Sequence, residues 1–310
     1  MTDASAPTAY DALPYTSYPY PRTHPDRLAA LATLFGLSPA PPRTARVLEL
    51  GCAGGGNLVP MAEALPQAQF VGVDLSATQI EQARSFAAAA GVRNLALHHA
   101  SILDVDASFG EFDYVLCHGV YSWVPPPVQQ AILSVCRERM RPDGIAYVSY
   151  NTYPGWHMRE LVRDMMRWHT RTIAEPRPRS RRPARWSTSP MPRSRRPALR
   201  TVAAQGAGAA GPHRRRLPVP RAPRGLQRAG VLPRVRRAHR SPRPARYLCE
   251  SDLHTMLPRE LAPEIRATLD RVAPDLAWSS TWTSCATGSF ARRCCASTSG
   301  SRSARWDPSA

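Results

Sequence analysis

Two carboxylates and a cluster of glycines form the part of the sequence with the clearest chemical content. The stretch "LELGCAGGGN" places Glu49 two residues before Gly51, and the apolar run in "FVGVDLS" ends at Asp74. A strand that runs into a glycine-rich turn at the start of a helix lets a ligand lie against backbone N–H groups. The pattern therefore predicts a ligand site at the end of the first strand.

Three kinds of ligand use a turn of this type, and the neighbouring residues separate them. A P-loop is excluded because no Gly-Lys-Ser/Thr sequence follows. In dinucleotide sites the position of Glu49 is normally apolar, since a carboxylate there would repel the pyrophosphate, whereas it suits the cationic methionine end of S-adenosylmethionine. Asp74 can accept the ribose hydroxyls of either cofactor. We therefore predict S-adenosylmethionine, with a dinucleotide as the alternative.

The elements around the turn alternate between strand and helix patterns. Strands separated by helices of this length require right-handed crossovers, which give a parallel sheet with helices on both faces. The predicted fold class is α/β, a Rossmann-like doubly wound parallel sheet. The predicted strands are Val47–Leu50, Phe70–Val73, Leu95–His98, Phe112–Cys117 and Ile145–Tyr150, and the predicted helices are 25–36, Leu58–Leu65, Ala77–Ala90 and Val128–Met140.

The 310-residue chain has a formal net charge of +18 that is unevenly distributed. Residues 1–170 contain 12 arginines and 15 acidic residues, whereas residues 171–310 contain 29 arginines and 8 acidic residues. The seven cysteines lack CxxC spacing, which argues against a zinc site or a disulfide framework. We find no signal peptide pattern and no apolar run of about 18 residues, so we expect a cytoplasmic protein without a metal site.

The N-terminal stretch "YDALPYTSYPYPRTH", residues 10–24, is rich in tyrosine and proline. Such a composition predicts an extended arm and not a regular helix. One interpretation is that the aromatic rings pin the arm to the domain surface, and the other is that the arm is a lid over a ligand.

Together, "VLELGCAGGGN", "VGVDLS" and "FDYVLCHGVYSWVPP" resemble a bacterial group of class I S-adenosylmethionine-dependent methyltransferases. Proteins of that group carry a C-terminal methyltransferase regulatory domain, and some relatives are protein-lysine methyltransferases that act on surface proteins. The resemblance covers roughly residues 10–170 and 245–276. The commonest pattern of the class has glycine where this chain has Ala53, which matters only if the position needs a positive φ.

The resemblance also implies a set of cofactor contacts. Glu49 would lie near the methionine amino group, Asp74 would bind the ribose hydroxyls, and Leu75 would cover the adenine. Relatives often have aspartate where this chain has Ala100, which leaves adenine recognition to the backbone and Ser101. The implied cofactor-binding residues are Glu49, Gly51, Cys52, Ala53, Gly54, Gly55, Asn57, Asp74, Leu75, Ser101, Ile102 and His118.

Residues that follow the fourth and fifth strands are candidates for the acceptor pocket, because ligands bind where the parallel strands of such a sheet end. An amine acceptor must lose a proton before it attacks the methyl group. Aromatic rings beside an amide would suit a cation or its neutral amine, although the same rings could simply pack the sheet edge. No catalytic residue is assigned. The candidates are His118, Tyr121, Ser122, Trp123, Asn151, Tyr153 and Trp156.

Beyond residue 170 the periodic pattern stops, and Arg and Pro recur without strand or helix spacing. One interpretation is a disordered basic arm that binds nucleic-acid phosphates. We favour the other, in which the reading frame has slipped on both sides of an in-frame segment, because shifting the codons of "RLPVPRAPRG" and "TWTSCATG" by one base allows ordinary amphipathic sequences. The predicted organisation is an N-terminal arm and helix (1–40), a methyltransferase domain (41–170), disordered regions (171–244 and 277–310) and a helical remnant of the regulatory domain (245–276).

The function predicted from these observations is transfer of a methyl group from S-adenosylmethionine. A protein lysine amine is the favoured acceptor, and neither nucleic acid nor a membrane is expected as a partner. The alternatives are a non-catalytic cofactor-binding or regulatory remnant and an RNA methyltransferase that uses the basic tract.

Overall fold

A seven-stranded sheet organises the part of the chain that the structure describes. The computed structural model describes residues 15–151, 156–169, 245–251 and 290–297, with Asp11 and Ala267 as single residues. The sheet order is β3-β2-β1-β4-β5-β7-β6. The strands are β1 (Arg46–Leu50), β2 (Gln69–Asp74), β3 (Leu95–His99), β4 (Phe112–Cys117), β5 (Met140–Asn151), β6 (Ala245–Glu250) and β7 (Phe290–Ser297).

The first five strands are parallel, whereas β7 is antiparallel to both of its neighbours. The described helices follow the strands in alternation, as the sequence pattern requires, and the predicted α/β fold with a doubly wound parallel sheet is confirmed. These helices are α1 (Pro25–Leu34), α2 (Leu58–Ala64), α3 (Ala77–Ala89), α4 (Pro126–Glu138) and α5 (His157–His169).

Local signals in the sequence determine where two of the helices begin. Pro25 occupies the first position of α1, where its missing N–H costs nothing, and Gly36 follows the helix with a φ of +80°. Ser76 precedes α3, and its hydroxyl accepts a hydrogen bond from the backbone N–H of Gln79. This cap fixes the start of α3 directly after the second strand, beside the predicted ligand edge.

The core has two parts, one on each face of the sheet. Val47 packs in the first cluster with Leu28 of α1, and Leu48 packs in the second cluster with Ile132 of α4. Because successive side chains of a strand point to opposite faces, Glu49 lies on the same face as Val47. The carboxylate is thereby directed toward α1 and α2.

The Pro-Asp-Gly segment, which precedes the fifth strand predicted from the sequence, lies within β5 as an irregularity. Phe112 pairs with Met140 and Tyr114 pairs with Ile145, so the chain advances two residues on β4 and five on β5. Asp143 has a φ of +59°, a left-handed conformation that aspartate tolerates better than most residues. The fifth strand therefore starts earlier than expected, and α4 ends earlier.

Two C-terminal segments correct the sequence interpretation. Residues 245–250 were expected to begin a helix and residues 290–297 to be disordered, but they form β6 and β7. The outer edge of β5 presents backbone N–H and C=O groups that need partners, and antiparallel pairing with β7 supplies them although "FARRCCAS" has no apolar alternation. Cys249 of β6 is fully buried in the first core cluster. The rest of the expected helical remnant, apart from Ala267, and the Arg- and Pro-rich tract lie outside the described residues.

A substitution in α1 tests this account of the core. Leu28→Ala should lower the free energy of unfolding by about 2–5 kcal/mol, because Leu28 is fully buried and its removal leaves a cavity. Leu34→Ala on the same helix is the matched control, since Leu34 is 61% exposed, and it should change stability by less than about 0.5 kcal/mol. Urea denaturation measures both values. Equal effects of the two substitutions would contradict the placement of α1.

Candidate functional site

The glycine-rich turn connects β1 to α2 and is held against the end of β2. The backbone N–H groups of Gly51 and Cys52 both donate to the carbonyl oxygen of Val73, at 2.8 and 3.1 Å. The N–H of Ala53 donates to Asp74 Oδ2 at 2.8 Å. These hydrogen bonds join the turn after β1 to the carboxyl-terminal end of β2, and Asp74 fixes the shape of the turn.

Backbone conformation explains part of the glycine content. Gly51 and Gly55 have φ values of +75° and +74°, which glycine adopts without strain. A Cβ on Gly51 would also lie 2.5 Å from Val120 Cγ2. Ala53 has a φ of +47°, so the position does need the left-handed conformation, and alanine is strained where the commonest pattern has glycine.

Other members of the predicted set contribute backbone and not side chains to the turn. Cys52 is 2% exposed and packs in the first core cluster, where burial raises the pKa of its thiol. A Cβ on Gly54 would lie 3.2 Å from Gln79 Oε1, so this face of the turn is close to α3. The side chain of Cys52 is thus structural, and only its backbone belongs to the ligand edge.

Glu49 is the most deeply buried charged side chain at this edge, with 3% of its surface exposed. Its Oε1 accepts a hydrogen bond of 2.8 Å from Asn57 Nδ2, whereas Oε2 is buried without a hydrogen-bond partner among the described residues. Asn57 Nδ2 also donates to the Thr23 hydroxyl at 3.0 Å. One carboxyl oxygen is therefore satisfied by the protein and the other is left for a proton or a ligand.

The electrostatic state of Glu49 follows from this burial. Desolvation raises the pKa of Glu49 from its ordinary value of 4.5 to about 7, the hydrogen bond from Asn57 opposes that rise, and the charge of Asp74 adds to it. Burial raises the pKa of Asp74 as well, opposed by the hydrogen bonds from Ser76 and Ala53. A nearby cation would favour the ionised form of both carboxyls.

Asp74 uses one lone pair of each oxygen to organise its own loop, because Oδ1 accepts from Ser76 N at 2.9 Å and Oδ2 accepts from Ala53 N. Each carboxylate oxygen has a second lone pair, so both remain able to accept a hydroxyl. Leu75 is next in the chain and is 37% exposed. The structure thus places a hydroxyl acceptor and an apolar side chain side by side.

The segment after β3 is a capped turn. The Ser101 hydroxyl accepts from Leu103 N at 3.2 Å, and Asp104 Oδ2 accepts from Ser101 N at 3.1 Å. Ser101 is buried, and Ile102 is half-buried and packs against the second core cluster. The Ser101 side chain serves the turn, so contacts of this segment to a ligand would come chiefly from the backbone.

His118 directly follows β4 and is at the centre of a polar and aromatic group. Its Nδ1 lies 3.1 Å from the Tyr147 hydroxyl and 3.4 Å from Ser149 Oγ. Ser149 Oγ also accepts from Gly119 N at 2.7 Å. Sequence analysis missed Tyr147 and Ser149 because their proximity depends on the register of β4 and β5; their alternation in "AYVSYN" was the available signal.

The remaining acceptor candidates are distributed between the core and the site edge. Tyr121 is 9% exposed and packs in the second core cluster, with its ring centroid 5.8 Å from that of Tyr150. The Ser122 hydroxyl accepts from Asn151 N at 2.8 Å. Asn151 Nδ2 is buried without a hydrogen-bond partner among the described residues. Trp123 is half-buried, Trp156 is buried, and Tyr153 lies outside the described residues.

The N-terminal arm also reaches this site, which the residue pattern alone did not establish. Tyr20 N donates to Asn57 Oδ1 at 2.9 Å, and the Tyr20 ring lies against His118, with centroids 3.8 Å apart. The Thr23 hydroxyl donates to the carbonyl oxygen of Tyr20 at 2.8 Å. The arm is therefore in contact with both Asn57 and His118.

Known proteins share this architecture. Residues 47–144 match the family model described as a methyltransferase domain. PKMT2 from Rickettsia typhi, solved in complex with AdoHcy, superimposes with a TM-score of 0.73 at 30% sequence identity over 93% of this chain and 55% of PKMT2. This chain carries a class I S-adenosylmethionine-dependent methyltransferase domain.

Sequence relatives match the same part of the chain. RP789 of Rickettsia prowazekii is 51% identical to it over 170 residues, which are 55% of this chain and 31% of RP789. RP028 of the same organism is 46% identical over 165 residues, which are 53% of this chain and 66% of RP028. The chain thus spans about a third of the first relative and less than two thirds of the second.

The residues present in the methyltransferase domain fit S-adenosylmethionine. Its methionine end carries an ammonium group and a sulfonium, and the buried Glu49 Oε2 offers an acceptor that the described residues leave unused. Its ribose carries two hydroxyls, for which Asp74 has lone pairs available. No pyrophosphate would suit this position, because Glu49 would repel it.

Two kinds of feature are absent from the residues that the structure describes. No group of three or more His, Cys, Asp or Glu side chains there has an arrangement suited to a metal ion. Among the same residues, no helix combines the length and the apolar character needed to cross a membrane.

Glu49→Gln tests the buried carboxyl through stability. Because the folded-state pKa is raised, the contribution of Glu49 to stability is complete below about pH 4.5 and is lost as the pH rises through about 7. The free energy of unfolding of Glu49→Gln, minus that of the native chain, should therefore increase by about 3 kcal/mol between pH 4.5 and 8. Urea denaturation at several pH values measures it. A difference that does not change with pH would contradict the assigned pKa.

Proposed function

We propose that this chain transfers a methyl group from S-adenosylmethionine to the side-chain amine of a protein lysine. The observation that carries the cofactor part of the proposal is the buried Glu49 carboxyl, which lies at the end of the first strand with one oxygen unpartnered among the described residues. An ammonium group is the partner that such an oxygen favours, and it would lower the free energy of the ionised form.

The cofactor, when bound, supplies an electrophilic methyl group on a sulfonium. The chain supplies position and environment: Glu49 would hold the methionine ammonium, and Asp74 would accept the ribose hydroxyls. In-line displacement needs little further help, since alignment and desolvation can provide on the order of 7–11 kcal/mol in the best intramolecular cases.

The acceptor site that we propose is the group around His118. Tyr147, Ser149 and Asn151 alternate along β5, so they share one face of the sheet, and hydrogen bonds join Tyr147 and Ser149 to His118. The oxygen atoms of these side chains and the unprotonated ring nitrogen of His118 could accept hydrogen bonds from the N–H groups of a neutral amine and so orient its lone pair. The structural similarity to PKMT2, together with the resemblance to a group whose relatives include protein-lysine methyltransferases, supports an amine acceptor.

The test uses a feature of the sequence: the chain contains no lysine. Methyl-lysine found after hydrolysis of a reaction mixture must therefore come from an added acceptor. The full chain is incubated with tritium-labelled S-adenosylmethionine and a bacterial protein extract, or the same extract after acetylation of its lysines. We expect labelled methyl-lysine with the first extract and none with the second, as measured by amino-acid analysis.

Two variants control the lysine experiment. Asp74→Ala should abolish labelling, whereas Asp106→Ala, which changes an exposed carboxylate in another loop, should leave it unchanged. Equal label in the acetylated extract, or label that ribonuclease removes, would contradict a lysine acceptor. If the chain binds the cofactor but labels neither extract, the result would support the alternative of a non-catalytic cofactor-binding protein.

A further inference from the structure

The N-terminal arm, defined here as residues 15–23, lies across the glycine turn and is fixed to it by polar contacts. Ser17 Oγ accepts from Gly56 N at 2.9 Å, and the carbonyl oxygen of Tyr15 accepts from Gln79 Nε2 at 3.1 Å. Tyr20 N donates to Asn57 Oδ1 at 2.9 Å. Three separated points therefore hold the arm along the start of α2 and α3.

Gly56 shows that the turn is shaped for the arm as well as for a ligand. A Cβ at this position would lie 2.6 Å from the carbonyl carbon of Ser17 and 2.7 Å from its oxygen. Those distances are far below van der Waals contact, so any other residue would displace the arm. The third consecutive glycine of the turn thus accommodates protein backbone.

Tyr20 is the arm residue that reaches the proposed reaction centre. Its ring lies 3.8 Å from the His118 ring, centroid to centroid, at an interplanar angle of 35°. Burial is the main cause that raises the pKa of Tyr20 well above its ordinary value, and the charge of Glu49 contributes. The phenol is therefore protonated near neutral pH, and its ring face and hydroxyl are available as binding groups.

We propose that the arm is a wall of the cofactor site and that Tyr20 is the residue on this wall that contacts the methionine end of the bound cofactor. The arm joins the two halves of the site, because Asn57 links it to Glu49 and the Tyr20 ring links it to His118. An aromatic ring beside the ammonium group, which S-adenosylmethionine and S-adenosylhomocysteine share, adds a favourable cation–π contact. The proposal rests on the proposed cofactor and adds the residues that enclose it.

The proposed role of the arm is tested by calorimetry, which measures the Kd of S-adenosylhomocysteine for the full chain and its variants. Tyr20→Ala should raise the Kd by about tenfold, whereas Tyr20→Phe, which keeps the ring, should stay within about threefold of the native chain. Tyr18→Ala is the matched control, since it removes a 46% exposed tyrosine of the same arm and should leave the Kd within about twofold. Thermal melting of each variant shows that the fold is retained.

A second variant keeps the test valid if Tyr20→Ala fails to fold. Ser17→Ala removes one hydrogen bond between arm and turn and should speed dissociation of S-adenosylhomocysteine about fivefold. Unchanged or tighter binding by Tyr20→Ala, or an unchanged dissociation rate for Ser17→Ala, would contradict the proposal that the arm is a wall of the cofactor site. A native chain that binds no S-adenosylhomocysteine would instead overturn the proposed function, so the two failures are distinct.

Discussion

A carboxyl group buried at the end of the first strand is the constraint on which the site depends. An ionised carboxylate away from water is costly unless hydrogen bonds or a cation compensate for the lost hydration. Asn57 provides compensation at one of the two carboxyl oxygens, through a single hydrogen bond to Oε1. Burial raises the pKa of Glu49 to about 7, so the carboxyl is partly protonated near neutral pH, and a cationic ligand beside Oε2 would favour its ionised form.

This constraint explains why distant segments meet at one place. The amide of Asn57 has a nitrogen that serves Glu49 and Thr23 and an oxygen that accepts from Tyr20 N. The first strand, the glycine turn and the N-terminal arm are consequently connected through one side chain. Asp74 performs the matching task on the second strand, where it holds Ala53 and Ser76 by their backbone N–H groups. The parallel sheet brings both carboxyls to the same edge.

Local sequence patterns predicted most of the fold and the carboxyl pair. Apolar runs and helix caps are local properties, so the five parallel strands and the helices between them could be read from the sequence. Long-range register could not, and for that reason the contacts of His118 with Tyr147 and Ser149 went unrecognised. The strands β6 and β7 were missed for a related reason. They are strands because β7 pairs with the edge of β5 and β6 pairs with β7, and apolar alternation in the sequence does not mark them. The alternatives of a pinned arm and a lid could not be separated without the contacts at Gly56.

Proton release on cofactor binding shows whether Glu49 ionises when it meets the cofactor's ammonium group. Calorimetry with S-adenosylhomocysteine at pH 6, in buffers of different ionisation enthalpy, counts the protons released on binding. Because the free carboxyl is largely protonated at this pH and an ammonium partner would ionise it, the account predicts release of about one proton per ligand, and none for Glu49→Gln. Binding by the native chain without any proton release would contradict the assignment of Glu49 as the partner of the cofactor's cation.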